Sequence, residues 1–181
     1  SSITTDPIYS SAAVACGMVY VGSFDDRVYA LNATTGVHVW NYTTGGDVLS
    51  SPVVAYGMVY VGSYDNKIYA LDAVTGEHVW NYTTGGNVFS SPAVAYGMVF
   101  VGSHDNKTYA LNATTDNPDG EVVWIYKSGG IVYSSPAVAH CTVFVGSYDK
   151  NIYAFGSPDI AITSIESLKK IVCQNYTTEV Y

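Results

Sequence analysis

Basic side chains are scarce in this sequence: seven Lys and Arg stand against fifteen Asp and Glu, a formal net charge of −8. Phosphate backbones are held by clustered Lys and Arg, and seven scattered cations make no such patch, so nucleic acid is excluded as a partner. The same acidity disfavours an anionic membrane surface. Long apolar runs are missing too, which excludes a helical membrane span. No charged-then-apolar leader precedes Ser1, so an export signal is expected to have been removed or left out. Cysteine is nearly absent: Cys16, Cys141 and Cys173 are too few for a disulfide framework, and none has the C-x-x-C spacing of a zinc or redox site. Two readings remain, buried free thiols or a Cys141–Cys173 bridge tying the tail to the last repeat. There is no Gly-x-Ser-x-Gly elbow, phosphate loop or metalloprotease helix. No catalytic residue, no metal site and no cofactor is expected.

What the chain does have is self-similarity. Gly22, Gly62, Gly102 and Gly146 mark one point of a unit of about forty residues, and Trp40, Trp80 and Trp124 mark another. The third copy lengthens at Asp116-Asn117-Pro118-Asp119, and the fourth stops after Phe155-Gly156 without reaching a Trp. Each copy reads as four short strands. In the second, Leu49–Ala55 is the first and Met58–Ser63 the second, rich in β-branched and aromatic residues. A hairpin at Tyr64-Asp65-Asn66-Lys67 follows, where Asp and Asn tolerate positive φ. Ile68–Asp72 and His78–Thr83 are the third and fourth strands, with Gly85-Gly86 crossing to the next copy. No amphipathic helix intervenes, so βαβ folds are excluded.

Tandem four-stranded units of this size predict an all-β fold, a β-propeller built from four blades at about 8–47, 48–87, 88–131 and 132–156. One blade is a twisted sheet with two apolar faces and must stack on neighbours to hide both. Trp on the outer strand suits the wedge that opens at large radius.

The segment Tyr69-Ala-Leu-Asp72-Ala-Val-Thr75-Gly76-Glu-His-Val-Trp80 closely resembles the tryptophan-docking motif of pyrroloquinoline-quinone (PQQ)-like propeller repeats. Tyr29 to Trp40, with Gly36, matches it again, and Tyr109 to Trp124 matches with an insertion. The resemblance covers about residues 8–156. It implies that each Trp docks on the next blade's loop, in propellers of seven or eight blades that include quinone dehydrogenases and non-enzymatic scaffolds. The dehydrogenases need a calcium, a catalytic Asp and vicinal cysteines; this sequence has no adjacent cysteines. The repeat style also resembles archaeal surface proteins. Residues 157–181 leave the repeat, as a strand segment or linker, and Asp159–Val172 looks like the opening strands of an Ig-like adhesion module.

Closure of the ring stays open at the level of sequence. Four blades make either a four-bladed ring or half of an eight-bladed one. The missing outer strand of the fourth blade is expected from residues 1–5 or from Ile160-Ala-Ile-Thr-Ser-Ile, in cis or donated to a neighbouring subunit. Asn32, Asn41, Asn81, Asn106, Asn112 and Asn175 each begin an Asn-x-Thr acceptor for N-glycosylation. Asp25, Asp65, Asp105 and Asp149 recur once per copy as hairpin residues, too far apart to share a calcium ion. The recurring tyrosines read as packing or as a contact face. The functional expectation is a non-catalytic extracellular or cell-surface scaffold for protein partners or for itself, with glycans attached. The alternative is a small-ligand or carbohydrate binder, and a quinone-dependent oxidoreductase comes last.

Overall fold

The computed structural model describes residues 4–156 and 160–162, all strand, turn and loop. Blade 1 is β1 (Ala13–Ala15), β2 (Met18–Gly22), β3 (Arg27–Asn32) and β4 (His38–Thr43). Blade 2 is β5 (Val53–Ala55), β6 (Met58–Gly62), β7 (Lys67–Asp72) and β8 (His78–Thr83). Blade 3 is β9 (Ala93–Ala95), β10 (Met98–Ser103), β11 (Lys107–Asn112) and β12 (Val122–Lys127). Blade 4 is β13 (Ala137–Ala139), β14 (Thr142–Gly146), β15 (Ile152–Gly156) and β16 (Ile160–Ile162). Each sheet is an antiparallel meander in sequence order.

Local chemistry sets these strands. β5 and β6 are joined by two residues, Tyr56 and Gly57, at φ 52° and 75°. This is a primed turn, whose twist matches the strands it joins. Asn66 closes the next hairpin at φ 70°, in the left-handed region that Asn tolerates best among residues with a side chain. A register shift between Ala70 and Leu71, repeated in blades 1 and 3, leaves one extra residue on the fourth strand and bulges it against the third.

The core lies between blades, not within them. Met18, Tyr20, Val28 and Trp40 of blade 1 pack against Val59, Val61, Tyr69 and Leu71 of blade 2. Tyr60, Ile68 and Trp80 meet Val99, Val101 and Leu111 in the same way, and Phe100 and Trp124 meet Val143 and Phe155. Each blade therefore has a forward face, on the even positions of its second strand, and a backward face on the odd ones.

One expectation needs correction and one open choice is decided. The first strand is three residues, not seven, because Ser50 and Ser51 leave the ladder. The Ser50 hydroxyl accepts from the Gly62 N–H at 2.7 Å, and the Ser51 N–H reaches across to Ser91. Of the two segments expected at the outer edge of blade 4, residues 1–5 and Ile160-Ala-Ile-Thr-Ser-Ile, the second supplies the strand. β16 pairs with β15 in cis, Ala154 opposite Ile162, while Thr5 donates its N–H to Asp25 in blade 1. A strand three residues downstream of β15 reaches that edge by a short hairpin with little loop-closure entropy. Ile162 thus holds the register that Trp40, Trp80 and Trp124 hold opposite Ala30, Ala70 and Ala110. The remainder of the adhesion-like tail lies outside the described residues.

Candidate functional site: blade clasps and an aromatic arc

Each Trp named from the sequence faces the following blade. Trp40 donates its indole N–H to the carbonyl of Ala73 at 3.2 Å and lies on Gly76, where a Cβ would come within 2.5 Å of the ring. Gly76 has φ +74° and so favours glycine twice over, by conformation and by space. Trp80 docks on Gly120, which the disturbed third motif concealed. The insertion shifts the local backbone, so Trp80 is wholly buried without an acceptor for its N–H, and the Pro118 carbonyl accepts from Asn81 instead. Gly36 was expected to dock a Trp and does not; nothing approaches it within 4 Å, because no blade precedes it among the described residues.

The recurring aspartates tie each hairpin to the loop that enters its blade. Asp105 accepts from the Tyr109 hydroxyl at 2.5 Å and from the N–H of Gly85, on the loop entering blade 3, at 3.0 Å. Asp149 accepts from Tyr153 and Gly129 likewise, Asp65 from Tyr69 and Gly45, and Asp25 from Tyr29 and Thr5. Among the described residues no three metal-ligating side chains converge. The signal was legible as Asp-x-x-x-Tyr in every copy, with Gly-Gly twenty residues upstream in the last three.

Burial alone would raise the Asp105 carboxyl, but hydrogen bonds from Tyr109, Gly85 and Lys107 outweigh it and hold it below the usual carboxylate range. Asp25 is lowered by the same balance, with Tyr29, Thr5 and Ser23 opposing burial. Asp149 is lowered chiefly by Tyr153. Burial and the adjacent carboxylate raise Tyr69 and Tyr109 well above the phenol range. Burial lowers His104 and His78. The signs give a plateau. The carboxylates contribute fully above their unfolded value of about 3.9 and lose that contribution as pH falls through the lower folded value. The lowered imidazoles start the decline earlier, below about 6.5, and the raised tyrosines start one above about 10. Denaturant unfolding at pH 3, 8 and 11 should show the maximum at pH 8. Tyr109→Phe should cost about 1.5–3 kcal/mol at pH 8, as for a bond to a charged acceptor, and should flatten the acid limb.

On the side carrying these hairpins, aromatic rings form an arc. Tyr64 meets Phe89 edge-on with centroids 4.2 Å apart. Phe89 stacks on His104 at 4.9 Å, His104 meets Tyr133 at 4.2 Å, and Tyr133 meets Tyr148 at 5.1 Å. Tyr9 and Phe24 make a separate pair at 4.9 Å. His104 therefore belongs to a ring stack, which a reading of it as a turn residue missed. The Tyr29, Tyr69, Tyr109 and Tyr153 row is buried packing. Tyr42, Tyr82 and Tyr126 lie against the next member of that row at 5.1–5.8 Å.

The sequons lie on turns and outer strands. Asn32 and Asn112 cap turns through their side-chain oxygens, and Asn106 holds a left-handed hairpin position. Asn81 and Asn41 bond to His78 and His38; Asn41 is exposed. Asn175 lies outside the described residues. Cys16, expected among buried thiols, is a free, exposed thiol in a turn at φ 51°. Cys173, the second member of the suggested bridge with Cys141, lies outside the described residues.

Four antiparallel meander blades with Trp docking and shared inter-blade cores define a β-propeller of the PQQ-like repeat class. The chain belongs to the repeat family described as outer membrane protein assembly factor BamB, whose model matches residues 4–115 and 90–159. The structure is similar to BamB from Moraxella catarrhalis, at 23% identity and TM-score 0.72, covering 83% of this chain and 47% of that one. The chain thus spans about half of that protein's length. It is also similar to two computationally designed proteins. Ika4 matches at 14% identity and TM-score 0.72, over 85% of this chain and 93% of the design. Ika8 matches at 15% identity and TM-score 0.69, over 82% of this chain and 45% of the design. No curated protein sequence matches the chain. Among the described residues no helix is long and apolar enough to cross a membrane.

Proposed function

We propose that the chain is a non-catalytic scaffold for protein–protein contact, working outside the cell or at its surface with glycan on exposed sequons such as Asn41. The observation that carries this reading is the aromatic arc. Rings packed on one another from blade to blade are rigid before any partner arrives, so docking on them costs little side-chain entropy. Tyr and Phe are enriched at the centres of protein interfaces. The name of the family, an assembly factor, supports the same direction. The sparse charge and the Asn-x-Thr sites support export.

The test is photocrosslinking in the source organism, with a benzophenone amino acid at Tyr64 in the middle of the arc. A control chain carries it at Val39, on an outer strand away from the arc. A discrete polypeptide adduct at Tyr64 and none at Val39 is the expected result. Adducts at both positions alike, or only with carbohydrate, would overturn the reading.

A further inference from the structure

The three junctions between blades repeat one set of contacts, and the two ends of the arc display the unmatched halves of that set. On the loop entering each blade, a valine side chain plugs the preceding blade. Val48 lies against Gly22, where a Cβ would come within 2.4 Å of it, and its N–H donates to the Ser23 carbonyl at 3.0 Å. Val88 does this on Gly62 and Ser63, and Val132 on Gly102 and Ser103. All three valines are buried. The fourth socket, at Gly146 and Ser147, contains no plug: it is a cavity of about 480 Å³ lined by Tyr133, Ser134, Gly146, Ser147, Tyr148 and Ile152. The fourth plug is Ile8, forty residues before Val48, and it is 44% exposed.

Other rows end the same way. The N–H of Ser11 donates to Ser51, Ser51 to Ser91 and Ser91 to Ser135. Within the described residues, the N–H of Ser135 and the hydroxyl of Ser11 are left as a complementary pair. Tyr64 meets the aromatic ring that follows the next plug, Phe89; by the same rule Tyr148, 69% exposed, would meet Tyr9, 72% exposed. Ile152 on the forward face of blade 4 is 56% exposed where its counterparts Val28, Ile68 and Thr108 are buried. On the backward face of blade 1, Val14 is 70% exposed while Val54 and Val94 are half-buried against the preceding blade. Gly36 is the empty dock, and at the other end Ile162 pairs with Ala154 in the register of the docking Trp residues.

We infer that blade 4 of one copy docks on blade 1 of a second copy, and the reverse, so that two chains close one eight-bladed ring. The occupant is a further repeat of this kind because every unmatched group has its mate at the other end of the same sequence. Four blades do not close on themselves here, since the Ile8 plug and the Gly146 socket stay apart. Propellers close with four to eight blades, so two arcs of four are the number that fits. A two-fold axis through the channel makes both junctions identical. The inference does not depend on the scaffold role, and it would carry the aromatic arc around the full rim.

Light scattering on the 181-residue chain should give twice the 19.4 kDa subunit mass. Ile8→Asp removes the plug. Gly146→Ala adds a Cβ that, among the described residues of the subunit, meets only Ser134, at 3.4 Å, yet would strike an incoming Ile8. Each variant should keep the wild-type β-sheet circular dichroism and raise the dimer dissociation constant more than tenfold. Mixing the two variants restores one intact junction per pair, so dimer should reappear in the mixture at concentrations where each alone is monomeric. A wild-type monomer at about 100 µM, open-ended assemblies, dimers indifferent to both variants, or a mixture that stays monomeric would overturn the inference. The crosslink at Tyr64 reads the scaffold role separately, because Tyr64 is in neither open face.

Discussion

Replacing Trp80 with Ala should lower the free energy of unfolding by about 3–5 kcal/mol, the range for a large buried aromatic cut back to a methyl. The side chain is wholly buried in the blade 2–blade 3 core, between Tyr60 on its own sheet and Gly120 on the next. Its indole N–H has no acceptor, so the loss is one of packing, with no hydrogen bond to subtract. The surrounding rigid sheets cannot collapse into the space. Trp124 is only partly buried, beside the shorter outer edge of blade 4, and Trp124→Ala should cost clearly less. Urea denaturation of both variants measures the difference. A loss below about 1 kcal/mol at Trp80 would remove docking from the account of the fold.

The second large effect is expected from adding one carbon. Gly62→Ala places a Cβ 2.4 Å from Val88 Cγ1 and 2.7 Å from the Val88 carbonyl oxygen. The valine can rotate but the carbonyl cannot, because Val88 is tied to Ser63 by its own N–H. Overpacking of this kind costs up to about 3 kcal/mol. Gly22→Ala and Gly102→Ala meet Val48 and Val132 in the same geometry and should behave alike. Gly146→Ala, at the same sequence position of blade 4, meets only the Ser134 side chain among the described residues, at an ordinary contact distance of 3.4 Å, and should change subunit stability by no more than about 0.5 kcal/mol. Thermal unfolding of the four variants at concentrations below dimer formation separates the cases. Equal losses at all four sites would mean that glycine is needed there for backbone conformation and not for the plug.

The strands were legible because each is fixed by neighbours close in sequence. Alternating residues such as Val59, Tyr60 and Val61, and the turn pairs Tyr56-Gly57 and Asp65-Asn66, decide their own geometry. The docking Trp was legible because its motif recurs. What escaped depends on a partner in another blade. The short first strand follows from Ser50 and Ser51 bonding across rather than along the sheet. The role of Asp105 requires Gly85 on the loop from the preceding blade, and Gly120 replaces the glycine that the third motif lost to its insertion. Gly36 has the right sequence and the wrong place, at the start of the series. The aromatic arc interleaves two positions that recur once per copy, one holding Tyr64, His104 and Tyr148 and the other Phe89 and Tyr133, but the residue type changes from copy to copy and the contacts between the two positions cross from one blade to the next.

The serine relay along the short first strands has a polarity. From Ser11 to Ser51, Ser91 and Ser135 the backbone always donates and the next hydroxyl always accepts. The innermost circle of the molecule is therefore a vector, like a strand or a helix, although it is assembled from contacts between separate sheets. A vector accepts extension only tail to head. A blade added in the opposite sense would set donor against donor. Duplicating a forty-residue unit adds another step of the same sense without redesigning either neighbour, which gives tandem copying of the sequence a direct mechanical meaning.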